Sequence, residues 1–140
     1  MQNTPTDRIS GMVAAQRQFF ADGATIDLQF RRDALETLRK AIRKWEQPLA
    51  EALWQDLHKS YEEAYMTELS IVLGEIDNHL RHLRRWAAPE RRRTPLKMFP
   101  SSSRIVTEPL GTVLILAPWN YPVQLLLNPL VGAISAGCTA

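Results

Sequence analysis

From Glu108 to Ala140 the chain reads EPLGTVLILAPWNYPVQLLLNPLVGAISAGCTA, with no charged residue after Glu108, although 23% of the whole protein is charged. Val113, Leu114, Ile115 and Leu116 form a continuous apolar run, not an alternating one. That pattern predicts a strand covered on both faces, as in a parallel sheet. Gly111 precedes the run and Pro118 ends it. The two prolines that bracket Trp119-Asn120-Tyr121 disfavour continued helix or strand, so Pro118 to Pro122 reads as a tight aromatic loop. Beyond it Val123, Leu126, Leu127, Leu130, Val131 and Ile134 recur at helical spacing, with Gly137 as the C-terminal stop. The stretch is therefore expected to be strand, loop, helix.

In an open α/β sheet, chemistry sits at the carboxyl ends of the strands, where this loop falls. An Asn side chain is a neutral two-proton donor, and Asn120 between two aromatic rings could direct its NH2 at a developing oxyanion. The same residue could instead cap the following helix or satisfy loop backbone groups. The residue pattern leaves both open.

Glu108-Pro109-Leu110-Gly111, Trp119-Asn120-Tyr121-Pro122, Asn128-Pro129, Gly132-Ala133 and Ala136-Gly137 together resemble the NAD(P)-dependent aldehyde dehydrogenases. The Trp-Asn-Tyr-Pro spelling is most similar to the class 3 branch, which handles fatty and aromatic aldehydes. The resemblance implies an α/β fold in which N-terminal helices lead into the first strands and first helix of a Rossmann-like cofactor domain, here incomplete. It implies that Asn120 donates to the thiohemiacetal oxyanion and that Leu116, Pro118 and Trp119 line the site of NAD or NADP. Tyr65 and Tyr121 are expected beside the aldehyde. Cys138 stands where the family commonly has Asn and is not the family's nucleophile. Looser similarity runs through Asp56-Leu57, Lys59-Ser60 and Leu73-Gly74-Glu75-Ile76-Asp77.

Composition narrows the alternatives. A chain of 140 residues, 45% hydrophobic, can bury a real core. A net charge of +2 gives no argument for nucleic acid. A single cysteine excludes an intrachain disulfide framework and suits a reducing cytoplasm. The start, MQNTPTDRISG, lacks the apolar core of a signal peptide. The uncharged stretch is too interrupted by Pro118, Pro122 and Pro129 to be a membrane span.

Residues 1 to about 7 read as a frayed start. A short helix follows with Ile9, Met12, Val13, Gln16, Phe19 and Phe20 on one face, ending near Gly23. The next begins near Asp27. Its buried stripe is Leu28, Ala34, Leu35, Leu38, Ala41, Ile42 and Trp45, with Arg31, Arg32, Glu36, Arg39, Lys40 and Arg43 outward. Pro48 suits the first turn of a third helix bearing Leu49, Leu53 and Leu57. Ser60 and Glu63 spell a capping box. A long fourth helix then places Tyr65, Leu69, Val72, Leu73, Ile76, Leu80, Leu83 and Ala87 on one side until Pro89. Pro89 to Ser103 reads as a linker or crossing segment, and Arg104 to Thr107 as a strand, by resemblance an arm-like element. The expected divisions are 1–88 (helical), 89–107 (linker and arm) and 108–140 (cofactor unit).

Weaker signals have bland explanations. The arginines at 81, 84, 85 and 91–93 surround Trp86 and could bind phosphates, but they equally form a solvated face. His79 and His82 could share a metal with Asp77 or Glu75, a spacing more often met on ordinary charged helices. Gly132 to Thr139 nearly spells a phosphate-binding loop, with Cys138 where Lys is required. Cys138 itself lacks a neighbouring base and reads as a packed residue. No metal site is expected. With no recognition motif and a small net charge, no nucleic-acid partner is expected, and the resemblance implies a small-molecule aldehyde substrate and a homodimer. It also implies a nucleophile and general base outside these residues, so that the chain alone is inactive. The competing reading is a helical interaction module, residues 8–88, with a basic binding face.

Overall fold

The computed structural model describes residues 4–140; of the frayed start expected at residues 1 to about 7, residues 1–3 lie outside the described residues, whereas Thr6 and Asp7 are already helical. Helix α1 spans Thr6–Ala21, α2 Leu28–Lys44 and α3 Glu46–Leu57. The fourth helix has three joined parts: α4 at Tyr61–Ala64, a wide π turn at Tyr65–Leu69, and α5 at Ser70–Trp86. Strands β1 (Glu90–Arg92) and β2 (Ser103–Ile105) pair antiparallel, and α6 spans Pro122–Ala136.

The core forms where α2, α5 and α6 meet. Leu35 and Ile42 of α2, Val72, Leu73, Ile76 and Leu83 of α5, and Val131 of α6 are buried together with Leu69 of the π turn. The 3.6-residue periodicity of α2 and α5 is the cause, since one apolar stripe on each must be removed from water. Caps behave as their chemistry dictates. Asp27 accepts from the N–H groups of Gln29 and Phe30, and Ser60 from that of Glu63, which is one half of the expected box. Gly137 ends α6 in the left-handed conformation, φ 86°. Pro129 lies inside α6 without ending it.

Several expectations are corrected. Trp45 is exposed, not part of the α2 stripe, and no residue of α1 is buried. Arg31 is buried, not outward: its guanidinium donates to the carbonyls of Thr25 (2.7 Å), Ile26 (3.0 Å) and Ser135 (3.3 Å), which replaces the water it loses. The supposed linker contains β1, because Glu90–Arg92 finds a ladder partner in Ser103–Ile105; Val106 and Thr107 lie beyond that strand.

The run Val113–Leu116 is extended but is not a doubly covered strand. Its pairing among the described residues is one parallel bridge, Thr112 with Thr139, where the N–H of Val113 donates to Thr139 O at 2.8 Å. Burial alternates along it, and Leu114 (81% exposed) and Leu116 (84%) face outward. A strand of a parallel sheet is paired at its edges by other strands and covered on its faces by helices, and here one bridge supplies the pairing while Leu114 and Leu116 stay uncovered.

Candidate functional site

The loop between this extended run and α6 is shaped by residues far away in sequence. Trp119, Asn120 and Tyr121 are exposed, and Pro122 opens α6. Proline has no N–H, so the first donors α6 must satisfy are those of Val123 and Gln124. The Tyr121 side chain, at the N-cap, makes no capping hydrogen bond. Both N–H groups donate to one oxygen of Glu68, Oε2, at 2.8 and 3.2 Å. Glu68 is completely buried. It therefore caps α6 from the π turn, and Asn120 does not serve as the helix cap.

The other oxygen of Glu68 accepts from Lys59 Nζ at 2.7 Å. Lys59 is also buried, and its ammonium donates to the carbonyl of Asn120 at 2.9 Å and lies 3.8 Å from the centroid of the Tyr121 ring. Carbonyl, carboxylate and aromatic face together surround a cation that would be costly to bury alone. The bend is thus held at Asn120 O on one side and at two N–H groups of α6 on the other, while the Asn120 residue itself remains open to solvent.

The residues expected to line the cofactor follow in chain order. Leu116 and Trp119 (85% exposed) present an uncovered apolar and aromatic surface at the end of the extended run, interrupted by exposed Pro118. Tyr121 shares its ring face with Lys59. Tyr65 opens the π turn that carries Glu68, and its ring stacks on Tyr61, 6.3 Å between centroids. The sequence reading missed Lys59 and Glu68.

Elsewhere, a cavity of about 300 Å³ is lined by Arg31, His79, Trp86, Glu108 and Ser135, away from every expected site residue. His79 bonds to Glu75 at 3.0 Å and packs edge-on against Trp86, whereas His82 stacks on that indole. Among the described residues no His, Cys, Asp and Glu cluster is arranged to hold a metal ion, and no helix is long and apolar enough to cross a membrane. Cys138 is free and buried.

Comparison with known proteins shows the family and the overall fold. The sequence profile of the Aldehyde dehydrogenase family matches residues 1–140. The 4,4'-diaponeurosporen-aldehyde dehydrogenase of Staphylococcus aureus is 47% identical over 124 residues, 89% of this chain and 27% of that protein. The dimeric NADP-preferring aldehyde dehydrogenase of Canis lupus familiaris is 43% identical over 134 residues, 93% of this chain and 29% of that one. A solved structure described as the substrate-bound state of Staphylococcus aureus AldH superimposes with a TM-score of 0.91 at 43% identity, over 99% of this chain and 30% of that chain. The chain belongs to the aldehyde dehydrogenase family, and its relatives include family 3 members from Arabidopsis thaliana and Mus musculus, which places it in the class 3 branch. It spans less than a third of the length of these relatives.

Proposed function

We propose that this chain is the oxyanion-binding portion of an enzyme that oxidises aliphatic or aromatic aldehydes to carboxylates with NAD(P)+, through a cysteine thiohemiacetal. Family membership supports the reaction class. The observation that carries the local assignment is Asn120: it is exposed, its carbonyl is tied down by Lys59, and the helix-capping task is taken by Glu68. Its carboxamide is free to donate to the oxygen that becomes negative when an aldehyde carbonyl is attacked. A donor whose main chain is held before reaction has less reorganisation to undergo as charge develops.

Leu116, Pro118 and Trp119 fit a dinucleotide, because they leave an apolar and aromatic surface uncovered beside the loop. NAD(P)+, when bound there, supplies hydride acceptance. Tyr65 and Tyr121 are proposed to line the aldehyde path. The nucleophile and the water-activating base are assigned to the remainder of the enzyme, so the 140-residue chain by itself should turn over no aldehyde. One relative is described as dimeric and NADP-preferring, which supports a homodimer using NAD or NADP. The lone free cysteine supports a reducing cytoplasm.

The test is Asn120→Ala in the complete enzyme. Loss of one oxyanion donor should lower kcat by about 10²–10³, or roughly 2.7–4 kcal/mol. An unchanged turnover number removes the assignment.

A further inference from the structure

We infer that Lys59 and Glu68 are positioning residues for the Asn120 carboxamide, a buried ion pair that fixes both ends of the bend on which it stands. The catalytic consequence rests on the oxyanion reading above; the geometry does not.

The bend has little to hold it locally. Tyr121 (φ −140°, ψ 66°) provides no cap, and Pro122 contributes no donor. Trp119 and Asn120 are exposed, so packing does not set their conformation. What does set it arrives from 55 to 61 residues away. Glu68 Oε2 takes the Val123 and Gln124 N–H groups, Glu68 Oε1 takes Lys59 Nζ, and the same Nζ reaches the Asn120 carbonyl.

Each charge thus does two jobs. The pair neutralises itself in the interior, and each member spends its remaining hydrogen-bonding capacity on the loop main chain. Holding the Asn120 carbonyl restrains the main chain from which that side chain projects. The π turn carries Glu68 and Leu69, both completely buried, and α6 begins at the Glu68 carboxylate. A displacement of the bend by about 1 Å can cost about 10²-fold in rate, because the donor must meet the oxyanion.

The experiment uses the complete enzyme and the variants N120A, E68Q and K59M/E68Q, separately and with N120A added to the double variant. E68Q strands the Lys59 charge and can destabilise, so K59M/E68Q, which leaves no net charge buried, is the principal probe. It should lower kcat by about 10- to 100-fold with the aldehyde KM within about threefold. Adding N120A to it should lower kcat no further than N120A alone, since both changes remove one function. Amide exchange of Val123 and Gln124 should be at least about tenfold faster in K59M/E68Q, with the amides of α2 unchanged.

A kcat within twofold of the parent, beside an N120A variant reduced 100-fold, overturns the inference; so do effects that multiply. If N120A retains parental kcat, it is the oxyanion reading that falls, and the exchange rates alone then decide whether the pair holds the bend. Should K59M/E68Q fail to fold, K59R is set against K59Q. Recovery by K59R, which keeps a cation able to reach both acceptors, supports the inference, and equal losses overturn it.

Discussion

Replacing Arg31 by Met should loosen the junction between the start of α2 and the end of α6. Met keeps much of the apolar stem and removes the guanidinium. Of the three bonds lost, the one to Thr25 is short, 2.7 Å, and Thr25 is buried, so its carbonyl cannot regain water cheaply. A bond from an ionised donor contributes about 1.5–3 kcal/mol. The bond to Ser135, also buried, is long at 3.3 Å and counts for about half as much. Ile26 is exposed, so water replaces the third. Against these stands the cost of burying the cation: desolvation lowers the Arg31 pKa, with Cys138 and Asp27 acting in the opposite direction. The net loss is then about 2–3 kcal/mol. R31K keeps the charge but not the fork, and should recover less than half of it. Urea unfolding followed by tryptophan fluorescence, together with amide exchange at Gly137 and Cys138, measures both. An R31M protein within about 0.5 kcal/mol of the parent would refute the reasoning.

Two further outcomes follow from single contacts. A Cβ on Gly137, whose φ is 86°, would stand 2.6 Å from the Arg31 Cζ, so G137A should destabilise by at least the 1–2 kcal/mol of a left-handed non-glycine residue, and G137A in the R31M background should cost less than in the parent. Tyr61 donates its O–H to Glu46, which raises the Tyr61 pKa by favouring the neutral phenol. Whatever stability that bond adds is present below the ordinary tyrosine pKa and is lost as pH rises through the higher folded value. Tyrosine-labelled NMR, assigned with Y61F, should show E46Q moving the Tyr61 midpoint downward; an unmoved midpoint would exclude Glu46 as the cause.

Much of the framework could be read from residue spacing. Helices α2, α5 and α6 follow their apolar repeats, and Asp27, Ser60 and Gly137 mark boundaries through cap chemistry that is local. The aromatic loop was legible too, since prolines limit the backbone wherever they stand. The strand before it was overread. Four consecutive apolar residues report that a segment can be covered on both faces, but the covering comes from elements packed on the two faces of a sheet, and Leu114 and Leu116 remain exposed here.

The buried charges were the harder part, yet two of the three left a trace. Leu28, Leu35, Leu38 and Ile42 of α2 repeat at helical spacing, and Arg31 falls on that stripe, three residues after Leu28 and four before Leu35. Glu68 falls four residues before Val72 and immediately before Leu69. A side chain on the buried face of a helix must either leave the face or find partners inside, because an unpaired charge there is too costly. Arg31 found backbone carbonyls, and Glu68 found Lys59 and the start of α6. Reading charge by residue type assigned Arg31 to solvent; reading it by position on the stripe would have marked both as interior. Lys59 carries no such mark, since it lies between α3 and α4. Its burial depends on a carboxylate nine residues on and a carbonyl sixty-one residues on, and no local pattern encodes either. Of the two charges that shape the Asn120 bend, only Glu68 is therefore legible, as an interruption in an apolar stripe, and its purpose becomes visible only when the chain brings the bend to it.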